Sequence, residues 1–304
     1  LDAGIPEMAR TYFKEAFEAG DTKAGLNAAY MDLELGFADS AQRSLSLLRV
    51  TDESLWGPAS KELALLLLAQ GESVFAGTEY DLSKLTAADW VKAGQYSDSI
   101  RQFIPALENF RRAIQLDSGS AAPYLEMASI YNRYGNAEAI ENAKYGLSLF
   151  PNNQQLRTTL AKAYMIQGNA TRTAELLDSI PAQIPEARVL RGELALAQGD
   201  TVTARSIWEN LYTEQPLYQP AILKLAGLYR AQNDLEAGHT LISQALDLNT
   251  ENAEIWYYYA AFFKEWGQVS DAKNGALRAI SLTPDAKRRD EIFKEFAEEI
   301  LDEK

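Results

Sequence analysis

The stretch from Ala253 to Pro284, AEIWYYYAAFFKEWGQVSDAKNGALRAISLTP, carries two apolar patterns of helical period on either side of one glycine. Trp256, Tyr259, Ala260 and Phe263 fall at i, i+3, i+4 and i+7, which places them on one face of a helix. Gly267 is a turn-forming residue, and Ala272, Ala276 and Ala279 then share a face of a second helix that Pro284 stops. The segment reads as a helical hairpin.

Working outward, the same layout recurs around a small or turn-forming residue at Gly36, Gly71, Gly135, Gly168, Gly199 and Asn233, with the last steps 31 to 34 residues long. Ile222, Leu225, Ala226 and Tyr229, then Gly238, Ile242 and Ala245, fit the preceding hairpin. Gly192, Ala195, Ala204, Trp208, Leu211 and Pro216 fit the one before it. Two further units read Tyr124, Met127, Ala128, Tyr131, Ala139, Ala143 and Pro151, and Leu160, Ala161, Tyr164, Leu177 and Pro185. Ala128, Ala161, Gly192, Ala226 and Ala260 are small because two helices must approach closely there, and a larger side chain would overpack by roughly 1–3 kcal/mol.

This pattern resembles the tetratricopeptide repeat: a large apolar residue, then Leu, a small residue and Tyr, followed by Ala, an aromatic, Ala and Pro. Ala276 stands where the aromatic is usual. The resemblance implies an all-α fold, a right-handed superhelical solenoid of antiparallel helix pairs. Five such repeats are expected over residues 121–284, divergent ones over 1–120, and a capping helix over 285–304, as one continuous solenoid. One hairpin leaves an apolar stripe uncovered, so stacking is required.

Near the start, Gly36, Ala41, Leu45 and Leu48 fit a turn and second helix, with Leu26, Ala29, Tyr30 and Leu33 slightly out of register before them. Ala9, Phe13 and Ala16 have the spacing of a second helix without a first, which predicts truncation or an atypical N-terminal cap. Leu63, Ala64 and Leu67 precede Gly71, while the matching second helix is Ala106, Phe110 and Ala113. Between them an insertion over about 72–100 is expected, containing Phe75, Tyr80, Trp90 and Tyr96. Thr86 and Asp89 there form a capping-box pattern for a short helix ending at Gly94. A degenerate extra repeat is the alternative. After Pro284, Ile292, Phe293, Phe296, Ala297, Ile300 and Leu301 predict one further helix as the cap. Its Lys287, Arg288 and Arg289 near the start and Glu298, Glu299, Asp302 and Glu303 near the end oppose the helix dipole and read as a solvated charge run.

The 304 residues include 29 Lys and Arg against 43 Asp and Glu, a formal net charge of -14, with no Cys and one His. That composition removes thiol chemistry, disulfides and Cys-based metal sites. No metal and no cofactor are expected. Acidity without basic blocks argues against nucleic acid as a partner, and the longest apolar run, Leu63–Ala69, is too short to span a membrane. His239 has no nucleophile-and-acid signature around it. The Asp247–Glu254 segment lacks the glycine and spacing of a calcium loop, and Asn169-Ala170-Thr171 is a sequon of the kind that chance supplies. The chain is not expected to be an enzyme.

In repeats of this kind the first helix of each pair lines the concave surface, and the ligand is usually an extended or helical peptide, as the resemblance implies. First-helix positions outside the core template are Asn132, Arg133, Thr159, Lys162, Glu193, Lys224, Arg230, Tyr257, Tyr258, Ala261 and Lys264. They suggest a basic and aromatic groove within an acidic protein, suited to carboxylates and apolar side chains. Repeats that grip a C-terminal carboxylate carry Asn where this chain has Ser129 and Gly227, so that mode is not expected. The reading is a non-catalytic scaffold for a protein or peptide partner, with a bacterial periplasmic or envelope setting favoured by the absence of Cys and the processed-looking Leu1. Alternatives are the adaptor region of a larger enzyme or secretion and glycan-export component, and a glycan-binding solenoid using Tyr80 and Trp90.

Overall fold

A computed structural model describes residues 6–71 and 80–301, and no β-strand occurs among the described residues. Phe75 and the 72–79 part of the expected insertion lie outside them, as do Asp302 and Glu303. The chain divides into two compact units, Ala9–Pro181, and Ala182–Lys304 with Leu1–Met8. The helices that lead into and form the first are α1 (Pro6–Glu18), α2 (Thr22–Glu34), α3 (Ala38–Thr51), α4 (Trp56–Ala69), α5 (Ala87–Ser99), α6 (Phe103–Leu116), α7 (Ala122–Arg133), α8 (Glu138–Leu149), α9 (Gln154–Ile166) and α10 (Ala170–Asp178). The second contains α11 (Pro185–Ala197), α12 (Thr201–Glu214), α13 (Gln219–Ala231), α14 (Leu235–Leu248), α15 (Ala253–Glu265), α16 (Val269–Leu282), α17 (Ala286–Glu295) and α18 (Ala297–Leu301).

Seven antiparallel pairs are formed among the described residues: α2–α3, α5–α6, α7–α8 and α9–α10 in the first unit, and α11–α12, α13–α14 and α15–α16 in the second. Within these pairs the turns are closed in one way. Gly36, Gly135, Gly168, Gly199, Asn233 and Gly267 all have positive φ, as does Gly71 after α4. Within the pairs the residue after the left-handed one donates its N–H to the carbonyl five back, as Asp200 does to Ala195 and Gln268 to Phe263, both at 2.9 Å. An acid or amide then caps the second helix in several pairs: Asn169, Asp200 and Asp234 each accept from a first-turn backbone N–H.

Arg101 shares this backbone. Its φ is 62°, and Gln102 donates to the Ser97 carbonyl at 2.7 Å. It sits between Gly71 and Gly135, where the glycine series skips a beat. α5 therefore runs on to Ser99 instead of ending at Gly94, and it pairs with α6 as a hairpin of its own. The Thr86–Asp89 capping box is present. Gly94 is a packing residue: a Cβ there would lie 2.5 Å from the Phe110 ring.

Inside the pairs, bulk on one helix meets its absence on the other. Phe110 covers Gly94 and Trp208 covers Gly192, while Ala128, Ala161, Ala226 and Ala260 are fully buried at the matching first-helix positions. α1 has no fully buried residue and is held by side chains, with Phe17 against Gly25 and Arg10 and Lys14 on the buried Asp32 at 2.6 and 3.1 Å. The expected single C-terminal helix is two, α17 and α18, divided at Phe296, whose buried ring shares a cluster with Ile292, Ala260, Ala261 and Ala276.

Gly168→Ala meets no atom within 4 Å but must hold a φ of +76°, so it should cost about 1 kcal/mol through the backbone alone. Gly94→Val should cost more, on the order of 2–3 kcal/mol, by displacing Phe110; urea titration of the helical signal compares the two. Hydrogen bonds from Ser54, Ser83 and Thr203 hold the carboxyls of Asp52, Asp81 and Asp200 below the usual aspartate range. The unfolded chain binds protons at these groups first, so their contribution is whole above the ordinary value and lost as pH falls through the folded one. Thermal melting should hold steady down to about pH 4 and decline below it.

Candidate interface on the first-helix faces

The side chains expected to line the groove occupy the first helices, but most are already committed. In the first unit, Arg133 reaches both oxygens of Asp98 on α5 at 2.5 and 2.6 Å. Asn132 is buried rather than free, its amide donating to the Thr159 carbonyl on α9 at 3.0 Å. It ties two first helices together. Lys162 is exposed and has no ion pair among the described residues.

In the second unit Lys224 is ion-paired with Glu193. Arg230 donates to Glu265 at 2.6 Å, to Glu295 at 3.1 Å and to the Tyr257 hydroxyl at 3.1 Å. Lys264 meets Glu299 at 3.0 Å and the Glu295 carbonyl at 2.5 Å. The structure thus gathers Arg230, Tyr257 and Lys264 around two carboxylates of α17 and α18. Burial, and then the Glu295 carboxylate, push the Tyr257 hydroxyl above its usual range. Tyr258 packs over Gly227 and towards Phe262. Ala261, expected on the free face, is fully buried beneath the terminal helices.

Three of these ion pairs, Asp98 with Arg133, Arg230 with Glu265 and Lys264 with Glu299, join residues 35 apart in the chain. That is one repeat plus a residue, the spacing at which neighbouring first helices present side chains to each other. The charged start of the cap is explained the same way: Arg288 forks onto Glu254 at 2.8 and 3.0 Å, Arg289 donates to the carbonyls of Thr283 and Pro284, and Asp285 caps α17.

Sequence reasoning missed a cluster in the first unit. Glu62, on α4, is buried and accepts from Lys92 at 2.8 Å and from the Tyr96 hydroxyl at 3.0 Å. Burial, followed by the Glu62 charge, pushes the Tyr30 hydroxyl up to about 12 and raises Tyr96 as well. The available signal was a carboxylate immediately before the apolar run Leu63–Ala69. Tyr80 and Trp90 are half-buried against the neighbouring core of Leu55, Leu63 and Leu85. An open depression of about 730 Å³ on α12–α14 is lined by Glu209, which accepts from Arg205 and Tyr229, by Asp234, which caps α14, and by the exposed Glu236.

His239 lies edge-on to Phe263 and tilted against Trp266, with Ser243 at 3.3 Å. Asn249 and Asn252 accept from backbone N–H groups of Glu251 and Ile255. No group of three metal-ligating side chains occurs among the described residues, and no helix there is long and apolar enough to cross a membrane.

The family model "Tetratricopeptide repeat" matches residues 136–192, from the α7–α8 turn into α11. A curated human protein, anaphase-promoting complex subunit 7, is 24% identical over 210 residues, covering 67% of this chain and 37% of that one. The chain thus spans little more than a third of that relative. Among solved structures, yeast Tom70 superposes with a TM-score of 0.60 at 14% identity, covering 93% of this chain and 65% of the other. A tetratricopeptide repeat protein from Parabacteroides merdae gives 0.55 at 16% identity, covering 91% and 98%. These structural likenesses speak for the fold. The left-handed turns and the small-residue contacts between paired helices give an all-α, tetratricopeptide-like fold, and the repeat itself is matched over residues 136–192.

Proposed function

We propose that the protein is a non-catalytic scaffold that holds a segment of a partner protein along the first-helix faces of its repeats. The observation that carries this reading is the register of those faces. Side chains from successive first helices meet directly, as Arg133 meets Asp98 and Gln95 meets Glu126 at 2.9 Å, so each unit offers an ordered row of polar groups. Such a row suits an extended chain, whose own groups repeat at short intervals. The curated relative is by name a subunit of a complex, which supports an assembly role. A bacterial envelope or complex-assembly setting is part of the proposal, supported by a chain without cysteine.

Lys162 is the groove cation without an ion pair among the described residues, so it is the anchor assigned to a partner carboxylate. Lys162→Glu should reduce capture of the partner in quantitative pull-downs while shifting unfolding by less than about 0.5 kcal/mol. Capture should also fall with added salt. Equal capture by the variant would remove Lys162 from the interface, and the absence of any partner retained at moderate salt would overturn the scaffold reading.

A further inference from the structure

A cavity of about 570 Å³ in the first unit is lined by Glu34 of α2 and by Lys92, Gln95 and Tyr96 of α5. Beside it lies Glu62, whose side chain is 5% exposed and which holds both Lys92 and Tyr96. The Lys92 ammonium also sits 4.4 Å from the ring centre of Tyr30 and 5.5 Å from that of Tyr96. A buried carboxylate and two tyrosine rings around one ammonium are the groups that suit an organic cation.

Three features make this cation exchangeable. The Lys92 side chain is 35% exposed, and its four-carbon stem lets the head swing outwards without backbone movement. Glu34, at the mouth, is exposed and carries no ion pair among the described residues. Glu126 is tied up only by a neutral amide, that of Gln95. One carboxylate therefore holds the resident ammonium, a second shares the pocket lining and a third lies one hydrogen bond beyond it at Gln95, in a protein of net charge -14.

We propose that this pocket takes an arginine side chain of a partner segment, the guanidinium replacing the Lys92 head at Glu62 between the rings of Tyr30 and Tyr96 while Lys92 moves out to Glu34. A guanidinium suits the exchange better than a second ammonium, because it is planar, more weakly hydrated and stacks on aromatic faces. This inference rests on the scaffold reading and adds the chemistry of one contact to it.

The test is fluorescence anisotropy with a labelled dodecapeptide of alternating arginine and glycine, alongside its citrulline and glutamate counterparts, on the full chain. The arginine peptide should bind and the other two should not. Lys92→Met, which removes the resident competitor, should tighten binding by about tenfold, and Tyr30→Ala should weaken it by about tenfold. Glu298→Gln, on α18, should leave it unchanged and so excludes general charge attraction. Should Lys92→Met fail to fold because Glu62 loses its counter-ion, Tyr30→Ala and Glu34→Gln decide, both weakening binding if the proposal holds. Unchanged affinity in those variants overturns it. So does binding of the glutamate peptide that Lys92→Met abolishes, which would make Lys92 an anion anchor. Because the peptide reads the pocket directly, this outcome is independent of the Lys162 pull-down, and either proposal can fall alone.

Discussion

A bulky side chain on the second helix of a pair needs a landing place on the first, and the rest of this fold follows from that fit. Trp208 lies over Gly192, with its indole N–H donating to the Val189 carbonyl at 3.2 Å, and Phe110 lies over Gly94. Where the second helix carries Ala276, the first carries Ala260. A small residue on the first helix is thus common to these contacts, whatever the second helix carries, and it lets the two helices of a pair close on each other. The apolar stripe left on a lone hairpin is then covered by stacking on the next.

The turn series was legible because left-handed backbone selects glycine or asparagine strongly enough to show in a single sequence. It failed at Arg101, where an ordinary side chain occupies the same backbone. With that beat hidden, Gly94 looked like a helix stop and α5 like part of an insertion. A glycine that ends a helix and one that admits a neighbouring ring are the same letter, and only the partner Phe110 tells them apart. The helix stripes and most buried alanines were visible for a different reason: they are properties of one helix at a time.

Charges were the least legible part. Each groove cation was assigned from the helix carrying it, yet the fate of most depends on a carboxylate about a repeat away, as with Arg230 and Glu265 or Lys264 and Glu299. Exposed pairs of this sort contribute little to stability individually. Their effect is on register, because each fixes how one first helix slides against the next. The supposedly basic surface is largely neutralised from within, and the acidic surplus of the composition is what remains for a partner to meet. The Glu62–Lys92–Tyr96 cluster joins α4 to α5, the helix that the hidden turn at Arg101 left reading as part of an insertion.

Asp32 has a side chain with no solvent exposure, and its counter-ions Arg10 and Lys14 both come from α1, a helix without a single fully buried residue of its own. The most lightly attached element of the first unit is thus the one that neutralises its most deeply placed charge. Detaching the whole of α1, Pro6–Glu18, would uncover an orphaned carboxylate close to the apolar gap at Gly25 that Phe17 fills, turning a quiet face of the unit into an adhesive one.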